Sequence, residues 1–343
     1  MARLAQRRVW LLVTVVLGTV LALASTAAFA QQSTLDLVRA RGHLVCGVNN
    51  GLPGFGYLDS DGRWSGFDID YCRAVAAAVL GDPNAVEFVP LTAAERFIAL
   101  QTGEIDVLIR NATWTLVRDT DLGLNFAPVT FFDGQGFMVP AHLGVTDLED
   151  LAGASVCVTS GTTTELNLAD AFRARGLPFT PVVFEEIDTV YRAYEQGRCD
   201  AVTSDKSQLA GRRAIMADPE AHVILDVTIS KEPLAPVVRH GDDRWYDVVS
   251  WVVYATFFAE EKGITSENVA AFASPDPDVQ RFLGQTGGLG AMLGLSNDWA
   301  VKVIQAVGNY AEIFARNLGP LGLPRGLNRQ WTDGGLLYAM PFR

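Results

Sequence analysis

Ile109-Arg110-Asn111-Ala112-Thr113-Trp114-Thr115-Leu116-Val117-Arg118 is the stretch from which the rest of the chain is read. It grows out of a short apolar run, Ile105–Ile109, with Asp106 near its start, which reads as a buried strand. An amide, two hydroxyls and two arginines then arrive within nine residues. A loop that leaves a strand and enters a helix near Thr115 can aim backbone N–H groups and a guanidinium at one small anion. Arginine suits that task, because its planar fork meets a carboxylate with two parallel hydrogen bonds and keeps its charge. Arg118 is therefore the candidate for an α-carboxylate, with Asn111 and Thr113 adding contacts. The competing reading is a solvated arginine in the first turn of a helix.

The N-terminus reads as an export leader. Arg3, Arg7 and Arg8 precede the apolar run Val9–Ala24, and Ala28-Phe29-Ala30 is a small-x-small cleavage site, so cleavage is expected after Ala30. The run is somewhat short for a membrane span, and no later stretch is apolar enough for one. Losing the three leader arginines takes the formal net charge from −12 to −15. So acidic a chain offers no footprint for nucleic acid or anionic lipid. The remaining residues, about 310, are too many for one typical core and imply two lobes.

Two strand–helix rhythms support that division. The first has strands at Leu44–Val48, Ala85–Pro90 and Asp106–Ile109, helices at Asp68–Leu80 and Ala93–Gln101, and a glycine-rich loop at Asn49–Tyr57. The second has strands at Ser155–Thr159, Val182–Phe184 and Ala201–Ser204, with helices at Leu166–Arg175, Thr189–Gln196 and Ser207–Ala214. Such alternation predicts mostly parallel sheets covered on both faces, with ligands at the carboxyl ends of the strands. No GxGxxG or Walker spacing indicates a nucleotide. Phe131–Gly136 and Ile229–Leu234 read as two crossings, so that one lobe is inserted in the other and swings on a hinge. From Trp245 the chain reads helical, including one helix over Trp299–Arg316, and an irregular tail from Asn317 is expected to wrap the first lobe.

Two more sites stand out. Gly161, Thr162 and Thr163 open a helix, where free N–H groups and the helix dipole favour an anion. Alternatively Ser160 or Thr162 merely caps that helix, with Glu165 closing a capping box. Asp205, just past a strand, is placed to face an ammonium group, or else caps the helix at Ser207. Cys46, Cys72, Cys157 and Cys199 are an even set in an exported chain, and their positions suggest Cys46–Cys72 and Cys157–Cys199, one pair per lobe. No CxxC or close Cys/His pair points to a metal.

Taken together, Gly66-Phe67-Asp68-Ile69-Asp70, Leu100–Asp106, Thr113–Arg118, Ser160–Thr163 and Gly197–Ala201 resemble the periplasmic solute-binding proteins of polar amino acid ABC transporters, the bacterial extracellular family 3. Gly51–Phe55, Asn111–Thr115, Phe132–Phe137, Gly161–Asp170 and Ile229–Leu234 are similar to its general L-amino acid-binding subfamily. The resemblance implies a type II periplasmic-binding-protein-like α/β fold, with two lobes, two hinge crossings and a helical C-terminal extension. Residues 31–132 and 229–343 would form one lobe, and 133–228 the inserted one. It implies that Arg118 holds the α-carboxylate with N–H groups around Thr113 and Thr162–Thr163, and that Asp205 takes the α-ammonium.

Leu52 occupies the position where many relatives stack an aromatic on the ligand, with Trp114, Phe55 or Tyr57 as substitutes. Arg110 either reaches an acidic ligand side chain or pairs with Asp59 or Asp61. The expected function is periplasmic capture of free L-amino acids, without cofactor or chemistry, by a monomer that serves an inner-membrane ABC permease. The alternatives are a narrower glutamate/aspartate/glutamine/asparagine-binding protein, and an enzyme resembling prephenate or arogenate dehydratases. That enzyme would use Glu165 as the acid beside the cleft. A sensory ligand-binding module, the remaining rival, would carry a transmembrane or signalling segment.

Overall fold

A computed structural model describes residues 32–343. The expected leader and its cleavage site lie outside the described residues. Among these residues no helix is long and apolar enough to cross a membrane.

Two five-stranded sheets are built to the same plan. The first runs Val86–Pro90, Leu44–Val48, Val107–Leu108, Val237–Arg239, Leu124–Phe126, and the second Thr180–Phe184, Ser155–Thr159, Ala201–Asp205, Gln135–Pro140, His222–Ile224. Within each, three neighbouring strands are parallel. One strand in each runs against the rest, namely Val237–Arg239 and Gln135–Pro140. Both of these immediately follow a crossing, so the reversal of direction is how the chain enters each sheet from the hinge. The crossings themselves lie side by side, Phe131–Asp133 pairing antiparallel with Glu232–Leu234 and Asp133 opposite Glu232.

Local chemistry explains the elements that carry the cleft. Leu44–Val48 is buried at every residue, as a central strand covered on both faces must be. The helix Phe67–Leu80 places Asp68 and Asp70 in its first turn, where carboxylates suit the dipole, and stops at Gly81, whose left-handed backbone returns its N–H to Ala77 O. Cys46 of the strand is bonded to Cys72 of this helix, and Cys157 to Cys199 in the other lobe.

Three segments differ from the elements their sequence predicts. Asn49–Tyr57 is not simply a loop, because Gly51–Leu52, Gly56–Leu58 and Trp64–Ser65 form a small antiparallel sheet. The helix expected over Trp299–Arg316 is two, Trp299–Val307 and Tyr310–Asn317. Gly308, at φ 83°, breaks it, and Asn309 and Glu312 cap the second half reciprocally. Within the region from Trp245 that reads as helical, Ser266–Phe272 contains only the short 3₁₀ turn Val269–Ala271.

The C-terminal helices share one apolar core with Phe67–Leu80, in which Trp245, Phe257, Phe258, Trp299, Ile304 and Tyr310 are buried. The tail closes on this core and on the hinge. Phe342 packs between Trp251, Phe258 and Phe282, while the Asn328 amide accepts from Phe132 N and donates to Phe132 O.

Candidate functional site

A cleft that encloses about 510 Å³ of empty space, open solvent included, lies between the two sheets at the carboxyl ends of their strands. From the first lobe it is lined by Arg96, Arg110, Asn111 and Thr113 among others, and from the second by Thr162, Thr163, Thr164, Glu186, Asp205 and Gln208.

Asn111 turns the loop after the strand Val107–Leu108. Its φ of 34° lies in the left-handed region that asparagine tolerates better than most residues. Asp68 holds it there by accepting from Asn111 N at 2.8 Å, and Asn49 donates to its side-chain oxygen at 3.0 Å. Burial raises the Asp68 carboxyl to about 7, against the lowering effect of that hydrogen bond and of Arg110.

Three arginines converge here. Arg110 is buried, donates from Nε to Leu91 O at 2.8 Å and lines the cavity. It does not meet Asp59 or Asp61, both of which pair with Arg63. Arg96 also lines the cavity, and its buried Nε has no hydrogen-bond partner in the protein. Arg118, expected at the centre, does not reach the cavity wall. It is buried beside the wall, with Nη1 donating to Thr113 O at 2.8 Å and its guanidinium 4.9 Å from the centre of the Phe97 ring. Burial depresses all three, Arg110 and Arg118 to about 10, and Arg96 feels repulsion from both others. Arg110 and Arg118 remain cationic at neutral pH, and buried guanidinium groups that repel one another favour an anion.

The opposite wall is acidic. Asp205 ends the strand Ala201–Asp205 and is almost fully buried, yet its side chain makes no capping bond to the helix Lys206–Arg213. That cap is supplied by Asp133, which accepts from Ser207 N at 3.2 Å. Its carboxyl is held well above the usual range by burial and then by Asp133 and Glu232. A ligand cation would relieve this.

At the helix Thr163–Arg175, Thr162 is the cap, accepting from Glu165 N at 3.1 Å. Glu165 accepts from Gly161 N at 2.9 Å rather than from Thr162 N, so the expected capping box is shifted by one residue. Neither Gly161 nor Glu165 lines the cavity, whereas Glu185 and Glu186 do. The acid that a dehydratase reading relied on is thus turned away, and two glutamates not singled out from sequence stand nearer.

Two aromatic-pocket expectations are corrected. Leu52 is fully buried in the core of the first lobe and does not line the cavity. Trp114 stacks on Phe126 at 5.6 Å, donates to Asp119, and points away. Arg96 was missed because it sits within an ordinary helical run; only its arginine identity on an otherwise apolar face hinted at it. Glu232 lies in the Ile229–Leu234 stretch, where no local pattern marks it as functional. It is 1 % exposed and accepts from Thr113 Oγ1 at 2.6 Å and Thr163 Oγ1 at 2.9 Å.

Comparison with known proteins agrees with this architecture. The model of bacterial extracellular solute-binding proteins, family 3, matches residues 44–256. The chain is 54% identical over 332 residues to the general L-amino acid-binding periplasmic protein AapJ of Rhizobium johnstonii, covering 95% of this chain and 97% of that one. It is 51% identical over 331 residues to the glutamate/glutamine/aspartate/asparagine-binding protein BztA of Rhodobacter capsulatus, covering 95% and 98%. A solved periplasmic binding protein from Brucella ovis with glutathione bound is 54% identical, with a TM-score of 0.90 over 91% of this chain and 100% of that one. These relatives are solute-binding proteins, and the chain belongs to the bacterial extracellular solute-binding proteins, family 3.

Proposed function

We propose that this protein captures L-amino acids for an inner-membrane ABC permease, binding the zwitterion between its lobes and performing no chemistry. The observation that carries the reading is the cavity's polarity: buried arginines on one wall face an uncapped, buried Asp205 on the other. Burying a zwitterion is tolerable only when both charges are paired, and this wall pair supplies both partners. Arg118, buried just behind the wall formed by Thr113, takes the α-carboxylate with its uncommitted N–H donors as the ligand settles and the wall adjusts, assisted by N–H groups at Thr113 and Thr162–Thr163, and Asp205 takes the α-ammonium. The lobes comprise residues 31–132 with 229–343, and 133–228. The protein acts as a periplasmic monomer after cleavage behind Ala30.

A second reading concerns the ligand side chain. Arg96 and Arg110 line the cavity, with Arg118 buried beside its wall, and this surplus of guanidinium donors favours ligands with a second carboxylate or a carboxamide. Glutamate, aspartate, glutamine and asparagine then bind more tightly than aliphatic amino acids. Glutathione, with two carboxylates and one ammonium, has the same complement of charged groups as glutamate and aspartate.

Thermal unfolding of ligand-stripped protein against the twenty L-amino acids, glutathione, prephenate and several sugars tests both readings. A ligand at a hundred times its dissociation constant adds about 2.7 kcal/mol, enough for a clear shift. Shifts with many amino acids are expected, largest for the acidic ones. A shift with none of them sinks the amino acid reading, and phenylpyruvate formed from prephenate would replace it with an enzyme. Arg96→Gln is expected to weaken glutamate and aspartate by about tenfold, the value of one hydrogen bond to a charged group, with neutral ligands changed by less than about threefold. Equal losses for alanine and glutamate would remove Arg96 from the side-chain pocket.

A further inference from the structure

Glu232 occupies a singular place. It stands on the return crossing opposite Asp133, and it gathers donors from both lobes. Its Oε2 accepts from the hydroxyls of Thr113, in the first lobe, and Thr163, in the second. Its Oε1 accepts from Asn167 Nδ2 at 2.8 Å, on the second-lobe helix, and from Ser230 Oγ. An ionised carboxylate offers about four acceptor positions, and all four are taken here.

A threonine hydroxyl has one proton and two lone pairs. With each proton committed to Glu232, the Thr113 and Thr163 hydroxyls can meet a ligand only as acceptors. Both residues line the cavity, together with Asp205. The wall around Asp205 therefore presents a carboxylate and two hydroxyl oxygens with their protons turned away. A primary ammonium carries three N–H donors and no acceptor. Carboxylate and keto oxygens, which only accept, are poorly matched to the same wall.

From this geometry we infer that Glu232 is a positioning residue: by holding the Thr113 and Thr163 protons it makes these hydroxyls, with Asp205, an acceptor trio for the ligand's α-ammonium. The inference rests on the amino acid reading above. It also alters the part assigned to the threonines, whose side chains serve the ammonium while their N–H groups remain available to the carboxylate. Since the two hydroxyls come from opposite lobes, Glu232 is fully coordinated only when the lobes meet. Ligand recognition and closure thus share one carboxylate.

The test is a binding cycle by calorimetry with L-glutamate and its 2-oxo analogue, using wild type, Glu232→Ala, the pair Thr113→Val with Thr163→Val, and the triple variant. Glu232→Ala is expected to lose about tenfold or more in glutamate affinity and less for the 2-oxo acid. In the valine background, where no hydroxyl is left to orient, removing Glu232 should change glutamate affinity by less than about threefold. Equal factors in the two backgrounds, or equal losses for both ligands, would overturn the proposal and leave Glu232 as a general electrostatic or structural group. Should Glu232→Ala fail to fold, Glu232→Gln completes the same cycle. Wild-type protein that binds no amino acid would instead refute the function on which the inference stands.

Discussion

Arg118→Ala is expected to weaken every L-amino acid by about a hundredfold or more, whatever its side chain. In the wild type only one N–H of the guanidinium is visibly spent, on Thr113 O, and the group keeps 8 % exposure beside the cavity. Glu232 and Asp205 support its charge against the cost of burial, which is why depression to about 10 leaves it cationic at neutral pH. Leaving a carboxylate buried without its cation costs about 3–5 kcal/mol, or at least two decades in affinity. Arg96 and Arg110 are close enough to feel Arg118, so part of this loss is recoverable by a ligand that slides toward them. Glutamate and aspartate cannot use that escape without giving up their own side-chain partners, so the variant should also discriminate less between acidic and neutral ligands. Calorimetry on a folded variant decides it. Affinity within about threefold of wild type would transfer the α-carboxylate to Arg96 and Arg110, the two arginines that line the wall directly.

The parts of this molecule legible in the sequence are those where local pattern and global fold agree. Leu44–Val48 and Ser155–Thr159 are apolar because they are central strands, so periodicity and burial point the same way. Asp205 is conspicuous because it is a carboxylate at the end of a buried strand, and Arg118 because it follows a loop rich in amide and hydroxyl groups. Leu52 and Trp114 misled because position along a loop does not fix side-chain direction. Leu52 belongs to a two-residue strand facing the core, and Trp114 found a partner in Phe126 that no local pattern foreshadows. Arg96 and Glu232 were silent for a related reason. Each becomes meaningful only through contacts with residues distant in sequence, such as Thr113, 119 positions from Glu232. The break at Gly308 was readable in principle, since glycine followed by Asn309 and, three residues on, Glu312 is a helix-start signature placed inside an apparently continuous helix.

Gly211→Ala should raise stability without ligand and lower affinity with it, an opposition that a purely local effect does not produce. Gly211 lies in the second-lobe helix Lys206–Arg213, and a methyl group built on it would sit 2.6 Å from Pro53 O of the first lobe. That oxygen is backbone, so no side chain can rotate aside and the lobes must stay further apart. The next residue shows how closely they meet: Arg212 Nη1 donates to Gly51 O and to Asp188 Oδ1, each at 2.7 Å. With the lobes apart nothing opposes the methyl, and alanine favours a helix over glycine by about 1 kcal/mol. The unliganded variant is therefore expected to melt a few degrees higher. With the lobes together, overpacking costs about 1–3 kcal/mol, which corresponds to roughly ten- to hundredfold weaker binding. The Arg212 bond to Gly51 is lost with it. Solution X-ray scattering should then show less compaction on adding saturating ligand than in wild type. Full compaction and unchanged affinity would mean that Gly51–Pro53 yields to the methyl. A variant less stable even without ligand would place the conflict inside the second lobe, and closure would no longer explain why position 211 is glycine.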